Sequence, residues 1–186
     1  MKKCLLFIAV SIMTLSMLLT ACGKEDSSGQ ISTKQEKLGE EPTLTLTDLL
    51  SSQMNSITLS SGSYDWNWKV GFGQMQSVIA CGAAPLDVAA MDIVTKVKLP
   101  HYNGMDGVTY SFSGGVGPDT LTVRRWDSSA IGNMETEPLE TQVYTYPELL
   151  VELLPGSVYE FSAEWQKENL KAYGAYGEAS FVLVTE

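Results

Sequence analysis

Leu154-Pro155-Gly156-Ser157-Val158-Tyr159-Glu160-Phe161 runs straight into Ser162-Ala163-Glu164-Trp165. Pro-Gly sets a turn, and the residues after it alternate with a period of two. Tyr159, Phe161, Ala163 and Trp165 fall on one side, Glu160, Ser162 and Glu164 on the other. That spacing predicts a half-buried β-strand over Val158–Trp165. Gly177–Val184, with Ala179, Phe181 and Leu183 on one face, is its natural hairpin partner. Ser63–Val70 repeats the pattern, placing Tyr64, Trp66, Trp68 and Val70 opposite Asp65, Asn67 and Lys69. Further strands are expected at Ser77–Cys81, Ile93–Leu99, Val108–Phe112, Leu121–Trp126, Gln142–Tyr146 and Leu149–Leu154. Turn clusters at 103–107 and 114–119 separate them. Many short strands and no long helical period predict an all-β antiparallel sandwich or barrel, built as one domain over residues 44–186. The one helical suggestion, Asp48–Asn55, is a turn or two long.

The Leu-x-Pro-Gly-x-x-Tyr-x-Phe stretch resembles the corner of immunoglobulin-like and fibronectin-type β-sandwiches. The resemblance implies that the Tyr159 hydroxyl bonds to backbone a few residues upstream, closing a crossing between sheets. A second resemblance covers about a third of the chain. Val123-Arg124-Arg125-Trp126-Asp127, the Pro-Gly corner, Glu164-Trp165 and Tyr176-Gly177 come in an order similar to the bacterial intracellular proteinase-inhibitor family. That family is an immunoglobulin-like sandwich, so the resemblance implies an immunoglobulin-like fold; no inhibitory residue is carried over.

The N-terminus carries a different message. Met1-Lys2-Lys3 is a cationic start, and an uncharged apolar run from Cys4 to Leu19 follows it. The run suits a signal peptide and is marginal for a membrane span. Leu19-Thr20-Ala21-Cys22 resembles the bacterial lipobox. The resemblance implies that residues 1–21 are cleaved and that the Cys22 sulfur carries a diacylglyceryl group. The expected location is the extracytoplasmic face of a cell membrane, since two acyl chains suffice for stable anchoring. Residues 22–43 are polar and mixed in charge, and they read as a disordered tether.

Residues 1–21 contain Lys2 and Lys3 but no acid, so the chain from Cys22 carries 10 basic and 22 acidic side chains, a formal charge of −12. Such a surface repels polyanions, which excludes nucleic acid as an expected partner. It also repels an anionic bilayer, so the domain is expected to stand clear of the membrane while the lipid does the holding. With Cys4 removed and Cys22 acylated, Cys81 has no intramolecular partner, and its apolar neighbours predict a small buried hydrophobe.

The candidate ligand-binding residues are Tyr64, Trp66 and Trp68, as an aromatic platform for sugar rings; an inner sandwich face explains the same alternation. Between Trp126 and Gln166 there is no Lys or Arg, while Asp127, Glu135, Glu140, Glu160 and Glu164 are among the acids. This window suggests a basic partner or solvation, and it lacks the spacing of a Ca²⁺ loop. Arg124 and Arg125 read as a surface ion-pairing couple. His101 is the sole histidine, so neither a zinc site nor a histidine-dependent triad is expected. No cofactor is called for. The apolar Val78–Met91 segment is expected to pack across the open end of the sandwich or to present a partner site.

These readings converge on a lipid-anchored protein whose domain recognises an envelope protein or extracellular ligand without catalysis. The alternatives are an inhibitor or regulator of an extracytoplasmic protease or other enzyme, a carbohydrate-binding module, and a carboxylate-based hydrolase.

Overall fold

The computed structural model describes residues 38–50, 55–102, 105–106, 108–113 and 116–186. The expected export signal, Cys22 and most of the expected tether lie outside these residues, as does the middle of the Asp48–Asn55 segment. Among the described residues are twelve strands. In chain order they are β1 (Thr43–Asp48), β2 (Ser56–Lys69), β3 (Met75–Ala80), β4 (Thr95–Val97), β5 (His101–Tyr102), β6 (Met105–Asp106), β7 (Val108–Ser113), β8 (Thr120–Asp127), β9 (Glu140–Thr145), β10 (Leu150–Leu153), β11 (Ser157–Trp165) and β12 (Ala175–Thr185). Two short helices, α1 (Pro85–Ala89) and α2 (Asn169–Ala172), sit between them.

The fold is all-β. Its main sheet runs β10-β7-β1-β2-β12-β11-β8-β9, with β3 added to β2 and β4 to β12. Every pairing is antiparallel except β4 on β12. The long β2 joins two sections: Ser56–Ser60 pairs with β1, and the half beyond Ser61 pairs with β12 and β3. The sheet is nearly closed. Its terminal strands β9 and β10 face a common cleft lined by Gln142, Tyr144, Leu150 and Glu152, with no ladder between them.

Period-two alternation explains the core. Leu44, Leu46, Leu59 and Leu153 from one section meet Trp66, Phe161, Trp165 and Phe181 from the other in a single buried cluster. Trp66 and Trp165 lie on either side of Gly177 in the register of β2, β12 and β11. Their rings meet edge to face across it, with centroids 5.2 Å apart. The expected corner is present: Leu154 N–H donates to the Tyr159 hydroxyl at 2.8 Å, and Gly156 takes φ +66°.

Leu38 is buried and its N–H bonds to the Tyr173 carbonyl, so the packed chain begins before residue 44. Strand β1 falls partly within the expected tether. The Val78–Met91 segment does not lie across an open end. Its α1 places Leu86 and Ala89 over Trp126, Val158, Val182 and Val184, on the opposite face of β8-β11-β12 from the main core. The valines at even positions of β11 and β12 face away from that core and need a cover, which α1 provides.

Candidate functional site

The ladder registers place side chains in rows across the outer face of β3-β2-β12-β11-β8. Asp65 stands opposite Glu178, and Glu178 opposite Glu164. The same row ends at Ile79 on β3 and Thr120 on β8. The three acids thus share one row on neighbouring strands, whose backbones lie about 4.8 Å apart. Ser180 lies along the sheet from this row, and its hydroxyl is 2.6 Å from that of Ser63. Ser162 is directly opposite Ser180. On the far side of the hydroxyls, Arg124 donates to Glu160 at 2.7 Å. These residues border an open groove of about 460 Å³ whose lining includes Ser63, Asp65, Ile79, Cys81, Glu160 and Glu178.

Like charges directly opposite each other in a sheet destabilise it by a few tenths of a kcal/mol to about 1 kcal/mol per pair. Among the described residues, no lysine or arginine neutralises Asp65, Glu178 or Glu164 by an ion pair, whereas Glu160 and Glu140 are paired with Arg124 and Arg125. The row is therefore an uncompensated negative strip. Its carboxylates stand side by side on one sheet rather than across a cleft, an arrangement that attracts cations more readily than it relays protons. Among the described residues, no set of three His, Cys, Asp or Glu is placed to hold a metal ion.

The strip runs up to β3, whose second edge has no strand paired to it among the described residues. Ile79 on β3 is 70% exposed. An edge of this kind offers main-chain donors and acceptors to an extended segment.

The three aromatic candidates are separated by the fold. Trp66 is wholly buried and its indole N–H donates to the Gly39 carbonyl at 3.0 Å. It cannot offer a ring face, and a stacking platform through it is ruled out. Trp68 is half-buried against the core, with its indole nitrogen enclosed and lacking a hydrogen-bond partner. Tyr64 also packs on the core and contributes to the groove wall. Cys81 is exposed at the groove rather than buried, because β3 is an edge strand and the chain leaves it in the open.

The acidic window does not form one patch. Only Glu164 of that window joins the row, together with Asp65 and Glu178 from outside it. Sequence spacing could not reveal this, since the row exists only once three strands are in register.

A second polar cleft, of about 280 Å³, lies between β9 and β10. Arg125 donates to Glu140 there at 3.3 Å. Burial pushes the Tyr159 phenol above its usual value, only partly opposed by the Leu154 hydrogen bond, and burial also raises Tyr144. Both phenols stay protonated at neutral pH, so this cleft offers hydroxyl groups, the Arg125–Glu140 pair and the Glu152 carboxylate.

In comparisons with known proteins, the chain matches no family model, no curated protein and no solved structure.

Proposed function

We propose that this chain is an exported lipoprotein, held to a membrane through Cys22, whose all-β domain recognises an envelope or extracellular protein without catalysis. The partner presents a basic, extended segment. The carrying observation is the row Asp65–Glu178–Glu164 beside the open edge of β3. A sheet has little reason to keep three adjacent like charges for stability, and a site often retains features that cost stability. Lysines or arginines of a partner would neutralise the row, while its backbone pairs with β3.

The immunoglobulin-like reading of the domain draws support from the Tyr159 corner and from the β12-β11-β8-β9 and β7-β10 neighbours. Such a scaffold serves many functions, so the partner is argued from the row alone.

The test is cross-linking of the lipidated protein in intact cells, followed by purification through a C-terminal tag. A stoichiometric partner is expected with the wild type and lost with the Asp65→Asn/Glu178→Gln double variant. Equal recovery by the variant would remove the row from the interface. No protein partner in either sample would overturn protein recognition as the function.

A further inference from the structure

We infer that the β2–β3 hairpin tip docks on the lipid bilayer, with Phe72 as the inserted side chain. The inference rests on the lipid anchor at Cys22 proposed above, and it revises the expectation that the domain stands clear of the membrane.

Phe72 is fully exposed, and its φ of +62° is a conformation that residues other than glycine rarely take. It sits between Gly71 and Gly73, and at each of these a Cβ would meet open space. Met75, on the same tip, is also exposed. Among the described residues nothing covers Phe72, and Met75 is 44% exposed. A large apolar side chain held outward on a tight turn has the form of an interfacial anchor, and a bilayer interface accepts such a side chain without a shaped pocket.

The position of the tip selects the bilayer. Lys69, just before the tip, donates its N–H to Gly174 at 2.8 Å. Leu38, where the described chain begins, donates to the adjacent Tyr173 at 3.1 Å. The chain arriving from Cys22 therefore joins the domain at the end that carries Phe72. The 16 residue-to-residue steps from Cys22 to Leu38 reach at most about 55 Å at full extension. That tether keeps the tip at high effective concentration near the surface, so a weak insertion suffices.

Charge favours the same end. Residues 44–186 hold 17 acids against 7 bases, while the segments meeting at this end carry Lys69, Lys167 and Lys171 against Glu40, Glu41, Asp119 and Glu168, a smaller excess of acid. Asp119 is already occupied by Gln166 and Asn169. Lys167 lies over the Tyr176 ring, 6.0 Å from its centroid. The repulsion that keeps the rest of the domain from anionic headgroups is weaker at this end.

The experiment uses the lipidated full chain, with Cys81→Ser and a single reporter cysteine at Gln74→Cys bearing an environment-sensitive fluorophore. It is reconstituted into vesicles of equimolar phosphatidylcholine and phosphatidylglycerol. Docking predicts a blue-shifted emission quenched by doxyl-labelled lipid. Phe72→Ser should lower the docked fraction about tenfold, as expected for losing the transfer of one aromatic side chain. A reporter at Met134→Cys, beyond the opposite end of β8, should remain water-exposed. A chain that floats with the vesicles while the Gln74 reporter stays in water would overturn docking and leave the anchor intact. A chain that does not float would overturn both. A shift seen in native membranes but not in protein-free vesicles would assign the tip to a protein pocket and overturn the lipid proposal.

Discussion

Gly177 shows how much one position can govern. Its φ is +145°, and a Cβ there would run into the Asp65 carbonyl oxygen and meet Trp66 Cε3 at 2.9 Å. Gly177→Ala must therefore move backbone as well as side chain, separating the Trp66–Trp165 contact. It should cost about 3 kcal/mol or more, read as a lowered midpoint in urea. Tyr159→Phe acts differently. The ring stays, but the Leu154 N–H loses its acceptor, at a cost of about 1–3 kcal/mol. The phenol's pKa is raised above 10.0 on folding by burial, so the protonated form is favoured in the native state. Its contribution is complete below pH 10 and fades as pH climbs from there through the raised value. The wild type should thus lose stability more steeply than Tyr159→Phe in alkaline urea titrations, and parallel curves would contradict this. The corner was legible because turn chemistry, phenol and alternation are local in sequence. The fate of Trp66 and Cys81 was not, since a strand's pattern says which residues share a face but not what covers that face.

At the level of elements, pattern served well where strands bury one side. β8, β11 and β12 come from alternation alone, with ends shifted by a few residues. β1 was missed although Thr43-Leu44-Thr45-Leu46-Thr47 alternates cleanly, because the polar run before it reads as continuous tether. The carboxylate row was illegible for a stronger reason: Asp65, Glu164 and Glu178 become neighbours only through two ladders. Glu178 is its central member, so Glu178→Gln removes two unfavourable pairings at once. The variant should gain about 0.5–1 kcal/mol in low salt, with the gain shrinking in 0.5 M salt as screening weakens the original repulsion. Thermal melts at the two salt concentrations check this, and a loss of stability would mean that the row is compensated. The cover helix α1 gives the opposite sign. Leu86 is buried against Trp126 and Val158, and Leu86→Ala should cost about 2–4 kcal/mol.

Over the whole molecule, the described faces divide the work the chain is proposed to do. One outer sheet region is sealed by α1, the neighbouring region carries the negative row beside an open edge, and the end where the tether arrives carries Phe72. A partner drawn to the row need not compete with the bilayer for the hairpin tip, because the row spans the sheet and the tip projects beyond it. This separation makes the two proposals independently measurable. Neutralising Asp65 and Glu178 should slow partner association and flatten its salt dependence, since steering by the negative strip is lost. Anchoring should be untouched. Conversely, Cys22→Ser should release the protein from the membrane fraction while leaving the domain's melting temperature unchanged, because the described core is built from residues from Leu38 onward. Fractionation and a thermal melt on the same preparation decide the matter. A released but destabilised domain would mean that the bilayer, through Phe72, contributes to folding stability as well as to location.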